Sequence, residues 1–390
     1  MDYDLIIIAG EPSGDEHAAH LLEHLRARAP HLKIAAVSGP KMKAAFPHTE
    51  ILNLEKLSVM GFIGILKHLP RLFFCYRTMK QFILKSRTPL VIFVDYPGMN
   101  LRLMQSLKKA GCPSQFWHFI APTAWAWKIS RVNTLKTYCD HLFCILPFEE
   151  AFFKSFGIKT TYVGHPLMHK LKDVFNQRKI EKNLLAIFPG SRVHEIEKNL
   201  PRILESLEPV VKANPSLQIG LSIARSELRR TIEETLENSS LNAKIQWYGP
   251  EASLALMLSA ERAIAKSGTC NLELALLGTP SVIVYAVSKL DLWIAQKVFH
   301  IHLPFYSLPN ILLNRAMFQE LYGPYFTSHN LTAAVCNLKG QEKQIEKDTQ
   351  TLRHLLGEQD AGVSLAEMIL KHLGVKDSTE SYQKSPDRSI

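Results

Sequence analysis

The chain has 390 residues, 46% of them hydrophobic, which suits two domains or one large one with a sizeable core. Its formal net charge of +10 favours an anionic partner: nucleic acid, a phosphate-bearing substrate or an anionic membrane surface. No segment offers eighteen uninterrupted apolar residues, which argues against a transmembrane helix. The six cysteines include no CxxC pair and lie mostly in apolar contexts, so buried thiols are expected rather than disulfides or a metal site. The acidic start, Met-Asp-Tyr-Asp, lacks the basic region of a signal peptide.

In chain order, apolar runs predict strands at 5–9, 34–37, 90–94, 115–120, 141–146 and 160–163, with helices at 16–29 and 101–109 between them. The pattern restarts with strands at 184–188, 217–222 and 244–248 and helices from about 196 and at 228–236. This repeated βαβ alternation predicts an α/β chain with two Rossmann-like, doubly wound parallel sheets. The break falls in a polar, basic stretch, 164–182. The expected division is 1–165, 166–345, C-terminal helices at 346–374 and a disordered tail at 375–390. A capping-box pattern at Ser364 and Glu367 opens the last helix.

The stretch 264–285 carries the strongest ligand signal. A strand end at 263–265 runs into the turn Lys266-Ser267-Gly268-Thr269, then a helix at 270–277 stopped by Gly278 and Pro280, then a strand at 281–285. Free N–H groups of Ser267, Gly268 and Thr269 and the helix dipole suit an anion such as a diphosphate, and Glu273 suits ribose hydroxyls. A bare strand–helix connection is the competing reading. After 184–188 comes Gly190-Ser191-Arg192, whose guanidinium offers a diphosphate a bidentate fork.

The first loop, Gly10 to Asp15, sets Glu11, Ser13 and Asp15 at a strand's carboxyl end, where open α/β sheets bind ligands. It is neither GxGxxG nor a P-loop, and Asp15 or Ser13 also suits the cap of the helix from 16. Asp95 ends the strand 90–94 on a Pro turn and is placed as a general base, or as a turn cap. His17, His20 and His24 share one helix face, read as solvated or ligand-adjacent rather than as a zinc site. Trp125 and Trp127, with Lys128 and Arg131, suit base stacking, a sugar or acyl pocket, or packing alone. The segment 57–76 is apolar almost all round yet holds Lys67, His68, Pro70 and Arg71. It reads as an interfacial element presenting Met60, Phe62, Ile63, Leu66, Leu69, Arg71 and Phe73 to lipid, or as core helices broken at Pro70.

Nine strings in order resemble the lipid-A-disaccharide synthase family: AGEPSGD (9–15), LSVMG (57–61), VDYPGMN (94–100), WAW (125–127), LPFE (146–149), GHPL (164–167), FPGSR (188–192), KSGTCNLE (266–273) and SLPN (307–310). The resemblance covers about 5–373. It implies a GT-B glycosyltransferase, two Rossmann-like domains facing across a cleft. The implied reaction joins UDP-2,3-diacylglucosamine to 2,3-diacylglucosamine 1-phosphate (lipid X), giving a β-1,6-linked disaccharide phosphate and UDP. By the same resemblance Asp95 falls on the proposed general base, and Arg192 and Asn310 on residues needed for activity. The chain departs from the family in having Gly98 where a second Asp is frequent, and Gly323 where Gln is common.

The expected mechanism is inverting, with no metal or other cofactor: Asp95 deprotonates the acceptor hydroxyl, while Arg192 and the 267–269 turn meet charge growing on the diphosphate. The expected partners are both lipid sugars and the anionic face of the inner membrane, bound peripherally from the cytoplasm, without nucleic acid; a homo-oligomer is left open. The rival readings are a UDP-N-acetylglucosamine 2-epimerase-like isomerase and a non-enzymatic RNA-binding protein, the latter without an RRM, KH or OB signature.

Overall fold

The computed structural model describes residues 2–56, 62–237, 239–287, 293 and 303–376, without the side chains of Lys56 and 62–69. The described chain forms two compact units. One comprises Met1–His169 with Leu356 onward, the other Lys170–Leu355.

In the first unit the strands are β1 (Leu5–Ala9), β2 (Ile34–Ser38), β3 (Thr49–Asn53), β4 (Leu90–Val94), β5 (Gln115–Phe119), β6 (His141–Cys144) and β7 (Thr160–Tyr162). They pair in parallel in the order β3-β2-β1-β4-β5-β6-β7. The helices are α1 (Pro12–Arg28), α2 (Pro40–Ala45), α3 (Phe62–Ser86), α4 (Pro97–Lys109), α5 (Ser130–Tyr138), α6 (Pro147–Ser155) and α7 (Pro166–Leu171), at whose end the chain passes to the second unit. The central strands are apolar on both faces, as a covered parallel sheet requires. Leu5, Ile7 and Ala9 join one core with Leu21, Leu22 and Leu25 of α1. Ile6 and Ile8 join the other with Cys75, Met79 and Ile83 of α3 and Leu103, Met104 and Leu107 of α4.

The second unit repeats the plan with β8 (Glu181–Phe188), β9 (Gln218–Ser222), β10 (Ile245–Tyr248), β11 (Ala260–Lys266), β12 (Ser281–Tyr285) and β13 (Gln319–Tyr322), parallel in the order β10-β9-β8-β11-β12-β13. Its helices are α8 (Val193–Ala213), α9 (Arg229–Leu236), α10 (Ser253–Ser259), α11 (Thr269–Leu277), α12 (Leu308–Leu313), α13 (Ser328–Asn337) and α14 (Glu342–Leu356). α14 is tied to α11 by Thr349, which donates to Ala275 O, and by Arg353, which donates to Leu276 O. The last helix, α15 (Ala361–Leu373), belongs to the first unit, where Leu365 and Ile369 enter the core beside α1.

Several boundaries move for local reasons. α1 starts at Pro12 and α4 at Pro97, four residues before the sequence reading in each case, because proline's fixed φ and missing N–H suit the first helical position. α15 starts at Ala361, capped by Asp360, which accepts from the amides of Gly362 and Val363, so Ser364 is not the cap. α3 runs through Pro70 as one helix. Its described half is two-faced: Cys75, Met79 and Ile83 are buried, while Phe73 and Phe74 are 64% and 66% exposed. No helix among the described residues is long and apolar enough to cross a membrane.

Candidate active site

Open parallel sheets bind ligands beyond the carboxyl ends of the strands, where strand order reverses. In the first sheet that point lies between β1 and β4. Asp95 and Tyr96 follow β4 with φ of +50° and +46°, a left-handed pair that costs roughly 1–3 kcal/mol per residue. The strained turn is held from both sides. The Asp95 amide donates to Phe119 O at 2.9 Å, and buried Asn100 donates through Nδ2 to Asp95 O at 2.7 Å. Gly10 leaves room for the Tyr96 ring, since a Cβ there would sit 2.2 Å from a ring carbon. The Asp95 side chain is half-buried, and exposed Ser13 donates to its Oδ2 at 3.3 Å. Glu11 is exposed on the same loop.

Asp15 does not join them. It is 2% exposed, and its carboxylate accepts the amides of Gly39, Lys41 and Met42 at 2.7, 3.0 and 3.3 Å. It anchors the start of α2 rather than capping its own helix or facing a ligand, because α1 has already begun three residues earlier. Trp125 donates to Glu149 Oε1 at 2.9 Å, and burial pushes the Glu149 carboxyl up to about 7. Trp127 is faced by Lys128 and Arg131 at 4.2 and 4.9 Å, so its ring already has cationic partners.

In the second sheet the reversal lies between β8 and β11. A cavity of about 510 Å³ opens there within the second unit, lined by Gly190, Ser191, Glu195, Lys266, Ser267, Gly268, Thr269 and Glu273. Its organising residue is Glu195, 2% exposed, which the sequence reading does not single out. Glu195 accepts from Lys266 Nζ at 2.8 Å, Arg192 Nη1 at 3.0 Å and the Ser191 amide at 3.0 Å. Burial alone would raise its pKa; the bonds and charge of Lys266, with Ser191 and Arg192, hold it below the usual value. Gly190 has φ +136°, and a Cβ there would lie 2.8 Å from the Glu195 Cβ. The Arg192 side chain is 65% exposed, at the edge of this network.

The turn offers fewer amides than its sequence suggests. Ser267 N–H donates to Val284 O at 3.0 Å. The Asn271 amide, oriented to satisfy both neighbours, accepts from Gly268 N–H and donates to Lys266 O, both at 3.1 Å. Thr269 and Cys270, the first two residues of α11, present the open end of the helix dipole. Lys170 pairs with Glu273 at 3.3 Å.

Asn310 is 0% exposed. Its Oδ1 accepts from the amides of Met317 and Phe318, and its Nδ2 donates to Phe318 O and Glu320 Oε1. Glu320 also accepts from Ser307 Oγ at 2.6 Å, so Asn310 braces a loop and presents no group to a ligand. Gly98 is exposed with nothing within 4 Å of a Cβ placed there, whereas Gly323 has φ +52°, a conformation that a Gln would strain. On α3, Arg71 is exposed and donates to Glu55 O, and Phe73 is exposed. Met60 and the side chains of Phe62, Ile63, Leu66 and Leu69 lie outside the described residues.

Residues 5–372 match the lipid-A-disaccharide synthetase family. The chain belongs to this family. It is thereby an enzyme, a glycosyltransferase of lipid A biosynthesis. Among curated relatives, lipid-A-disaccharide synthase of Nitrosococcus oceani is 31% identical over 365 residues, 90% of this chain and 92% of that one. That of Coxiella burnetii is 31% identical over 370 residues, 92% of this chain and 94% of its own. That of Chlamydia pneumoniae is 32% identical over 381 residues, 96% of this chain but 63% of a longer protein. Solved structures share the GT-B fold at low identity. UDP-GlcNAc 2-epimerase of Neisseria meningitidis bound to UDP-GlcNAc gives a TM-score of 0.60 at 12% identity, over 94% of this chain and 99% of that one. CalG4, the calicheamicin glycosyltransferase, gives 0.59 at 12%, over 96% and 99%. At that identity the likeness is one of fold alone.

Proposed function

We propose that the chain transfers 2,3-diacylglucosamine from its UDP derivative to lipid X, with inversion at the anomeric carbon, releasing UDP. The cavity between the β8 and β11 loops carries this reading, because its groups match a nucleoside diphosphate. The first-turn amides of α11 and the Lys266 cation face growing negative charge without reorganising, and Arg192 adds a guanidinium. Glu273 accepts from ribose hydroxyls. Asp95, on a turn whose strain fixes the carboxylate, takes the proton of the acceptor hydroxyl, and Ser13 and Glu11 orient the acceptor. Phe73, Phe74 and Arg71 support peripheral binding to the anionic cytoplasmic face of the inner membrane.

Incubation with the UDP-diacylglucosamine donor and lipid X, with both products identified by mass spectrometry and the anomeric configuration by NMR, tests the reading. Disaccharide and UDP are expected. An isomerised UDP-sugar without disaccharide would replace it with the epimerase chemistry, and an α-linkage would remove the inverting mechanism.

A further inference from the structure

The histidines of α1 that the transfer reaction leaves unused gather a second chemistry in the first unit. His20 and His24 lie one helical turn apart, with ring centroids 4.7 Å apart. Asp360, 340 residues along the chain from His20, arrives against them: His20 Nε2 lies 2.7 Å from its Oδ1 and 3.0 Å from its Oδ2. His169 Nδ1 lies 2.6 Å from that same Oδ2. One ligand atom from each of His20, His24 and Asp360 falls within 4.8 Å of the others. His24 Nε2 is buried with no hydrogen-bond partner among the described residues. Gly362 lets α15 close on the cluster, since a Cβ there would sit 2.6 Å from the His20 ring.

We propose that His20, His24 and Asp360 bind one divalent transition-metal ion, with Zn²⁺ the best match, and that His169 holds the carboxylate in place. Two imidazoles and one carboxylate are the donor set of a borderline cation, and an i, i+4 histidine pair is a common way for a helix to supply it. The unsatisfied His24 nitrogen is the group that an ion would complete. Tetrahedral ligand atoms about 2.0 Å from zinc lie about 3.3 Å apart, so the His20–Asp360 contact opens by roughly 0.6 Å to admit the ion. Protons compete with the ion for imidazole and carboxylate ligands, so binding weakens in acid. The ion pins α15 to α1, closing the first unit across the whole length of the chain between them.

The test uses the full chain without affinity-tag histidines, stripped by chelator and dialysed against Zn²⁺ at neutral pH. About one zinc per chain is expected, with an X-ray absorption shell of nitrogen and oxygen at about 2.0–2.1 Å, two imidazoles and no sulfur. His24→Gln and Asp360→Asn, the latter keeping a cap acceptor, are expected to weaken zinc at least ~10-fold, and His169→Gln by a similar factor through the outer shell. Zinc should raise the melting temperature of the unmodified chain and not of His24→Gln. Undiminished binding by His24→Gln, uptake well below one ion, or a sulfur shell would each overturn the proposal. The absorption shell of the unmodified chain decides even if a variant fails to fold.

Discussion

Glu195→Gln is the change that bears hardest on the cavity of the second unit. The wild-type carboxylate accepts from Lys266 Nζ and Arg192 Nη1 at Oε1 and from the Ser191 amide at Oε2. A glutamine keeps one acceptor, so its NH₂ must face a donor whichever way it turns. The Arg192 pair contributes little, about 0–1 kcal/mol, because that side chain is 65% exposed. Lys266 is only 15% exposed and loses its counter-charge, a loss worth about 3–5 kcal/mol for a buried pair. The lower end applies, since the Tyr285 ring 4.8 Å away still faces the ammonium. A loss of about 3 kcal/mol is therefore expected in urea denaturation at neutral pH. Calorimetric UDP affinity should fall at least ~10-fold as Lys266 and the 190–191 turn are both released. The pH dependence has a definite sign. A carboxyl held below its ordinary value of 4.5 stabilises fully above that value and loses the contribution as pH falls through the folded pKa. The difference between wild type and variant should therefore shrink in acid. A neutral-pH stability within about 0.5 kcal/mol of wild type, the scatter of ordinary surface changes, would refute the argument.

Asp95→Asn should lower turnover at least ~100-fold with donor binding little changed; near-normal turnover would move the base to another carboxylate such as Glu11. Asp15→Asn strands one α2 amide, so it should cost about 1.5–3 kcal/mol in a thermal melt while activity per folded molecule holds. Loss of turnover with an unchanged melt would return Asp15 to the acceptor. A chelator should leave the initial transfer rate intact, with full loss restored by magnesium or manganese as the contrary result, and Arg192→Lys should be costly because an ammonium has no bidentate fork. The protein should bind anionic vesicles, less so in high salt. The double change Phe73→Ser, Phe74→Ser should weaken that binding at least ~10-fold with the melt unchanged, since each buried Phe is worth about 1.5–3 kcal/mol; unaltered binding would place the lipid contact elsewhere.

The central strands are plain in the sequence because a parallel strand covered on both faces is a short apolar block, as in Leu5–Ala9, Leu90–Val94 and Ser281–Tyr285. The strands not anticipated, β3 and β13, are sheet edges, half polar and without such a block. The loops were legible as places where ligands bind, because Gly and Pro mark the ends of strands. The division of labour inside those loops was not. Asp15 and Ser13 sit two residues apart on one turn, yet one faces into the protein and the other toward Asp95. Asn310 is an amide on a loop in sequence and a saturated brace in space. Glu195 looks like an ordinary helix-start glutamate until Lys266, 71 residues on, is seen beside it. Such assignments depend on which partner arrives from far along the chain, and spacing alone does not encode that.

The return of α15 to the first unit sets an order of events on the ribosome. Lys170–Leu355 is contiguous, so the second unit can complete itself as it emerges. The first unit cannot, because the apolar flank of α1 at Leu21, Leu22 and Leu25 is covered in part by Leu365 and Ile369. All the residues from Lys170 to Leu355 must be translated in between. At about 5–20 residues per second that takes roughly 10–40 s. For that interval the nascent amino-terminal half carries a greasy stripe without its lid. The half synthesised first is the last to mature.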